Sequence, residues 1–95
     1  MRDYELAFII KPSVEGDDVT AVIDKVSGYV GAINGEVASV DVWGRKRLAY
    51  PINNHREGTY VLLNTKMPPA SLVDLERELK LSEDIIRYLL VKVES

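Results

Sequence analysis

Arg45, Lys46 and Arg47 stand consecutively in the chain, Arg56 follows, and only Asp41 opposes them between residues 41 and 56. This short segment holds a third of all the lysine and arginine and carries a net charge of +3, while residues 1–40 carry −4 and residues 57–95 carry −2. Guanidinium and ammonium groups at this density suit charge-assisted bonds to phosphate or carboxylate oxygens. The same clustering occurs on ordinary solvated hairpins, so the cations alone leave both readings open. Trp43 and Tyr50 lie in the same segment, and aromatic side chains of this kind anchor partners or stack on bases.

Other chemistry is poorly supplied. His55 is the sole histidine and there is no cysteine, so zinc sites of the usual kind, disulfides and thiolate chemistry are excluded. A lone histidine beside Arg56 in an expected loop reads as solvated. Neither G-x-G-x-x-G nor G-x-x-x-x-G-K-[ST] occurs, and Gly28 and Gly31 fall late in an expected helix rather than in a phosphate loop. Asp17/Asp18 and Glu76/Lys80 follow solvated-helix spacing, with no sign of a shielded acid–base pair. An acyl-phosphate hydrolase would need an anion-cradling first loop, and the loop from Lys11 to Asp18 is net acidic. No enzyme activity, cofactor or metal is expected.

Ninety-five residues allow one domain, and surface scaling lets about two-thirds of the chain's surface be buried. With 46% hydrophobic and 28% charged residues the composition is globular. No apolar run is long enough to span a membrane, and Asp3 and Glu5 stand where a signal peptide needs basic residues. The net charge of −3 argues against nucleic acid when taken as a sum. The distribution matters more.

The elements that must position these residues follow from periodicity. Tyr4, Leu6, Phe8 and Ile10 share one face of a strand over residues 3–10, and Ala7 and Ile9 make its other face partly apolar, as in an interior strand. Val19, Val22, Ile23, Val26, Val30 and Ile33 line one stripe of a helix that starts at Asp17 and stops at Asn34-Gly35. Residues 36–52 form a long β-prone stretch in which Gly44 marks a bulge. Asn53 to Glu57 reads as a hairpin connection closed by Gly58, followed by a strand from Thr59 to Met67. Pro68-Pro69 opens a second helix with Leu72, Leu75 and Leu79 inward. Ile85 to Val93 is the last strand, with Leu89, Val91 and Val93 opposite Tyr88, Leu90 and Lys92. The order β-α-β-β-α-β predicts an α+β, ferredoxin-like split arrangement: a four-stranded antiparallel sheet with both helices on one face. The bare face is the expected working surface.

The run from Trp43 to Ile52, WGRKRLAYPI, resembles the second-strand signature of the S6 family of bacterial (30S) small-subunit ribosomal proteins, G-x-[RK]-x-L-A-Y-P-I. The opening Met1-Arg2-Asp3-Tyr4-Glu5, the spacing to Gly58-Thr59-Tyr60 and to Met67-Pro68, and Arg87 in the last strand resemble it too. The likeness spans nearly all 95 residues, so 1–95 is read as a single ferredoxin-like domain without the long charged C-terminal tail of many members. The resemblance implies a ribonucleoprotein subunit of the cytoplasmic small ribosomal subunit. It implies binding to the central domain of 16S ribosomal RNA beside the small basic protein S18, without DNA, membrane or cofactor. A basic partner also lets an acidic chain sit on RNA. Two other readings remain: a free-standing RNA-recognition-type module, of which Arg56 to Val61 carries a faint echo, and a protein-only interaction domain.

By that resemblance Arg2 and Arg47 lead the RNA-binding candidates, Arg45 and Lys46 follow, and Arg56 and Arg87 complete the set. Alternation puts Arg45 and Arg47 on one face and Lys46 on the other. Leu48, Ala49, Tyr50 and Pro51 carry the expected partner interface, joined by Trp43. Parity leaves open whether Leu48, Tyr50 and Ile52 face the helices or a partner. Pro51 fits an edge or irregular position because it lacks an N–H. Trp43 is core, stacking platform or partner anchor; the resemblance implies an aliphatic residue there, which weighs against stacking.

Overall fold

The computed structural model describes residues 1–52 and 54–93. Strand β1 spans Arg2–Ile10, helix α1 Asp17–Ala32, strand β2 Glu36–Ile52 and strand β3 His55–Met67. A single 3-10 turn, Pro69–Ser71, leads into helix α2, Leu72–Leu81, and strand β4 spans Ile85–Lys92. The sheet order is β2-β3-β1-β4, all pairs antiparallel. This is the split β-α-β-β-α-β arrangement expected from periodicity.

Alternation in β1 decides which face is which. Tyr4, Leu6, Phe8 and Ile10 are buried with Val22, Ile23, Val26 and Val30 of α1 and Leu75 and Leu79 of α2. Both helices therefore cover the face carrying the even-numbered residues of β1. Leu6, Ile10, Leu63 and Leu75 have no exposed surface, and burying each such side chain stabilises the fold by about 1.5–3 kcal/mol. β1 lies between β3 and β4, which explains why Ala7 and Ile9 on its second face are also apolar. The valine-rich α1 has poor intrinsic propensity and forms because its stripe packs. It ends where Asn34 adopts a left-handed φ of 64° and the Gly35 N–H bonds back to the Val30 carbonyl.

Three expectations need correction. The connection between β2 and β3 is not an open loop to Glu57, because β3 begins at His55 and Ile52 pairs with His55. His55 and Arg56 are thus strand residues. Gly58 is buried within β3, where an added Cβ would stand 2.5 Å from Ile9 Cγ2 and 2.8 Å from the Ile10 carbonyl oxygen. It is there for close approach of two strands rather than to close a turn. The second helix also starts later than the prolines suggest, the 3-10 turn taking up Pro69. Asn53, the first residue of the expected loop, and the Glu94-Ser95 end lie outside the described residues.

Candidate nucleic-acid interface

The cations are set by the way β2 leaves regular pairing. Val42 pairs with Val61 and Gly44 with Tyr60, so Trp43 is an extra residue with no partner in the ladder. Gly44 has φ 89°, a value open to glycine and strained for other residues. This is the bulge the sequence suggests. Beyond it Arg45 stands opposite the buried Thr59, Lys46 opposite Gly58 and Arg47 opposite Glu57. Arg45 and Arg47 therefore share the helix-side parity and Lys46 has the other.

Arg45 is engaged inside the protein. Its Nη1 donates to Glu57 Oε1 at 2.9 Å, its Nη2 donates to the Pro12 carbonyl at 2.7 Å, and Nη2 lies 3.7 Å from Glu15 Oε1. The guanidinium ties the loop after β1 to the base of the β2–β3 hairpin, with two carboxylates balancing its charge. Arg47 faces Glu57 across the ladder, yet Glu57 is taken by Arg45. Among the described residues Arg2, Lys46, Arg47, Arg56 and Arg87 form no ion pair, and all five are exposed.

After Arg47 the hairpin bends. Five steps along β2, from Arg47 to Ile52, are matched by two along β3, from Glu57 to His55. The surplus residues fold over the face that carries no helix. Leu48 is only 8% exposed yet stands outside the helix-side core, so its burial comes from this fold-back. Parity left its direction open; the register shift settles it. A groove of ≈ 240 Å³ results, lined by Ala7, Ile9, Leu48, Tyr50, Tyr60 and Leu89 among others. At its mouth Arg87 Nη1 donates to the Tyr50 hydroxyl at 2.8 Å. Behind it the Tyr88 hydroxyl donates to Glu76 Oε1 at 3.2 Å. Partial burial, and then the Glu76 carboxylate and this bond, hold the Tyr88 phenol above its ordinary pKa of 10.0.

The candidates divide into groups. Arg45, Lys46, Arg47, Arg56 and Arg87 gather toward the hairpin end of the sheet. Arg2 lies at the other end, opposite Met67; Arg87 is opposite Ile9, so the two rows are about 23 Å apart along the strands. Of the interface candidates, Leu48, Ala49 and Tyr50 line the groove. Pro51 is exposed within the register shift of an edge strand, as its missing N–H requires. Trp43 is 52% exposed, outside both core and groove, which removes the core reading. Sequence reasoning did not single out Glu15, Glu57 and Pro12 as the seat of Arg45; the acidity of the loop from Lys11 to Asp18 was the available signal. From sequence, Ile9 and Leu89 are legible only as members of one strand face each, Ile9 opposite the face of Phe8 and Leu89 opposite that of Tyr88. Among the described residues no group of three or more His, Cys, Asp or Glu side chains could hold a metal ion, and no helix is long and apolar enough to cross a membrane.

A ferredoxin-like sandwich with a bent cationic hairpin laid over its bare face defines an α+β binding domain. A model of the family described as ribosomal protein S6 matches residues 3–92. The chain is 46% identical over 94 residues to small ribosomal subunit protein bS6 of Moorella thermoacetica, covering 99% of this chain and 96% of that protein. It is 44% identical over 92 residues to the bS6 protein of Desulforamulus reducens, covering 97% of each. The crystal structure of 30S ribosomal protein S6 from Thermotoga maritima superimposes with a TM-score of 0.91 at 26% identity, over 97% of this chain and 87% of that one. The chain belongs to the ribosomal protein S6 family. It is a ribosomal protein and not an enzyme.

Proposed function

We propose that the protein is a structural constituent of the cytoplasmic small ribosomal subunit that binds the central domain of 16S ribosomal RNA together with the small basic protein S18. The observation that carries this reading is the placement of Lys46, Arg47, Arg56 and Arg87 at the hairpin end of the sheet, Arg47 on the helix-side parity and Lys46 and Arg87 on the other, all exposed and, among the described residues, without ion pairs. Exposed guanidinium groups on a rigid hairpin follow a phosphate backbone and its 2′-hydroxyls, which reads folded RNA shape rather than a sequence word. Arg47 leads this set. Arg2 contacts RNA only if the bound strand or helix extends the length of the sheet. Arg45 holds the hairpin base rather than phosphate.

The partner reading rests on the groove and on charge. Ala49 and Tyr50 lie exposed beside the cations over the buried Leu48, and a chain of net charge −3 attracts a basic protein. That partner adds positive field where this chain has little. The free-standing module is less well supported. Its base-stacking face is the bare side of β1 and β3, where β3 offers Tyr60 and β1 offers only Asp3, Glu5, Ala7 and Ile9. The hairpin tip also covers part of that face.

The test is binding of a central-domain fragment of 16S ribosomal RNA, with and without S18, across a salt series. Tight binding only with the partner supports the cooperative subunit. Equal binding by the isolated chain moves the assignment to the free-standing module.

A further inference from the structure

The side chain of Trp43 is held in place although only about half of its surface is covered. Its Nε1–H donates to Asp41 Oδ2 at 2.9 Å, and Lys46 Nζ lies 5.6 Å from the ring centroid. The bulge at Gly44 takes the residue out of the ladder on an edge strand, and half of its surface remains exposed. Because the indole N–H is already satisfied and Lys46 stands on one side of the ring, what the side chain offers a ligand is its other π face. Fixing the ring beforehand removes much of the entropy cost of using it. Lys46 stands over the ring and Arg47 follows, both without ion pairs among the described residues.

We propose that Trp43 is a stacking platform for one unpaired RNA base, with a phosphate flanking that base carried by Lys46. Two requirements of single-strand recognition, a cationic track and an aromatic face, meet within five residues. Charge decides against a protein anchor at this point. A basic partner is repelled by Lys46 and Arg47, and interface anchors sit in closed pockets ringed by neutral contacts, whereas this ring projects from an edge strand. The assignment rests on the RNA-binding reading above and adds base stacking to its backbone contacts.

Trp43 is the sole tryptophan, so 5-fluorotryptophan incorporated into this chain alone gives one fluorine resonance. Its shift is followed on adding S18, then the central-domain RNA fragment, while RNA affinity is read separately by polarisation of end-labelled RNA. The expected result is a shift on adding RNA, with Trp43→Leu weakening RNA binding by roughly five- to 150-fold, the worth of one base–aromatic stack. Trp43→Phe should restore most of that loss, since it retains a π face. A shift complete with S18 alone makes Trp43 a protein anchor and overturns the proposal. Unchanged affinity of Trp43→Leu with a silent resonance overturns it too, and leaves the RNA-binding reading intact. Absence of RNA binding on the labelled RNA removes both. Circular dichroism of Trp43→Leu guards against misfolding.

Discussion

The Arg87 guanidinium donates to the Tyr50 hydroxyl at 2.8 Å, and this one bond joins β4 to the tip of β2, the two opposite edges of the sheet. It closes the fold-back that buries Leu48 on the bare face. It also pairs a candidate RNA contact with a candidate partner contact. The acceptor is uncharged, so the Arg87 charge stays available to phosphate while its direction is fixed.

Tyr50→Phe removes that bond and little else. Both side chains are exposed, so the global cost should be at the low end for a hydrogen bond, about 0.5 kcal/mol. The effect should be local instead: amide exchange should quicken across residues 48–52 while β1 is unchanged. Unaltered exchange at the tip would show that apolar packing of Leu48 alone holds it down.

Arg45 and Arg47 should separate in a salt series. A residue on a phosphate contributes a unit to the dependence of log affinity on log salt, scaled by about 0.7–0.9. Arg47→Gln should lower affinity and reduce the slope by about that amount. Arg45→Gln should leave the slope as it is, because its charge is already balanced by Glu57 and Glu15. A slope that falls equally in both variants would return Arg45 to the RNA surface.

Legibility in the sequence followed the length scale of the physics. The strand faces of β1 and the stripe of α1 are repeated many times within one element, so period alone located Tyr4, Leu6, Phe8 and Ile10, and Val22, Val26 and Val30. Gly44 was readable as a bulge because no side chain would take φ 89° without strain. Leu48 was not readable. Its burial depends on a register shift that accumulates between Arg47 and Ile52, and alternation cannot report a place where alternation stops. Gly58 was misread for a related reason. Glycine serves both turns and close strand contacts, and only the neighbour, here Ile9, separates the two. The seat of Arg45 at Pro12 and Glu15 is distant along the chain, beyond the reach of any local pattern.

Gly58→Ala tests that correction directly. A Cβ at 2.8 Å from the Ile10 carbonyl oxygen meets backbone, which cannot turn aside as the end of a side chain can. The substitution should destabilise by about 1–3 kcal/mol or more in urea unfolding. Leu48→Ala should cost about 2 kcal/mol, the lower end for a buried leucine, because its pocket borders solvent. A Gly58→Ala variant as stable as the parent would mean that β1 and β3 separate there easily.

Tyr88 gives the fold a dependence on alkaline pH with a definite sign. Burial, the Glu76 charge and the bond to Glu76 all favour the neutral phenol, so its folded pKa lies above the unfolded value near 10.0. Below pH 10 both states keep the proton and the interaction contributes fully. Above it the unfolded chain releases the proton first, so stability falls as pH rises through the folded value. Tyr88→Phe lacks that phenol and its bond. It should therefore be less stable than the parent at pH 8, by about 0.5–1.5 kcal/mol, and the gap should narrow above pH 10. Urea midpoints of the pair measured from pH 8 to 11 decide it: a gap constant with pH would mean that Tyr88 and Glu76 are not coupled in the folded chain.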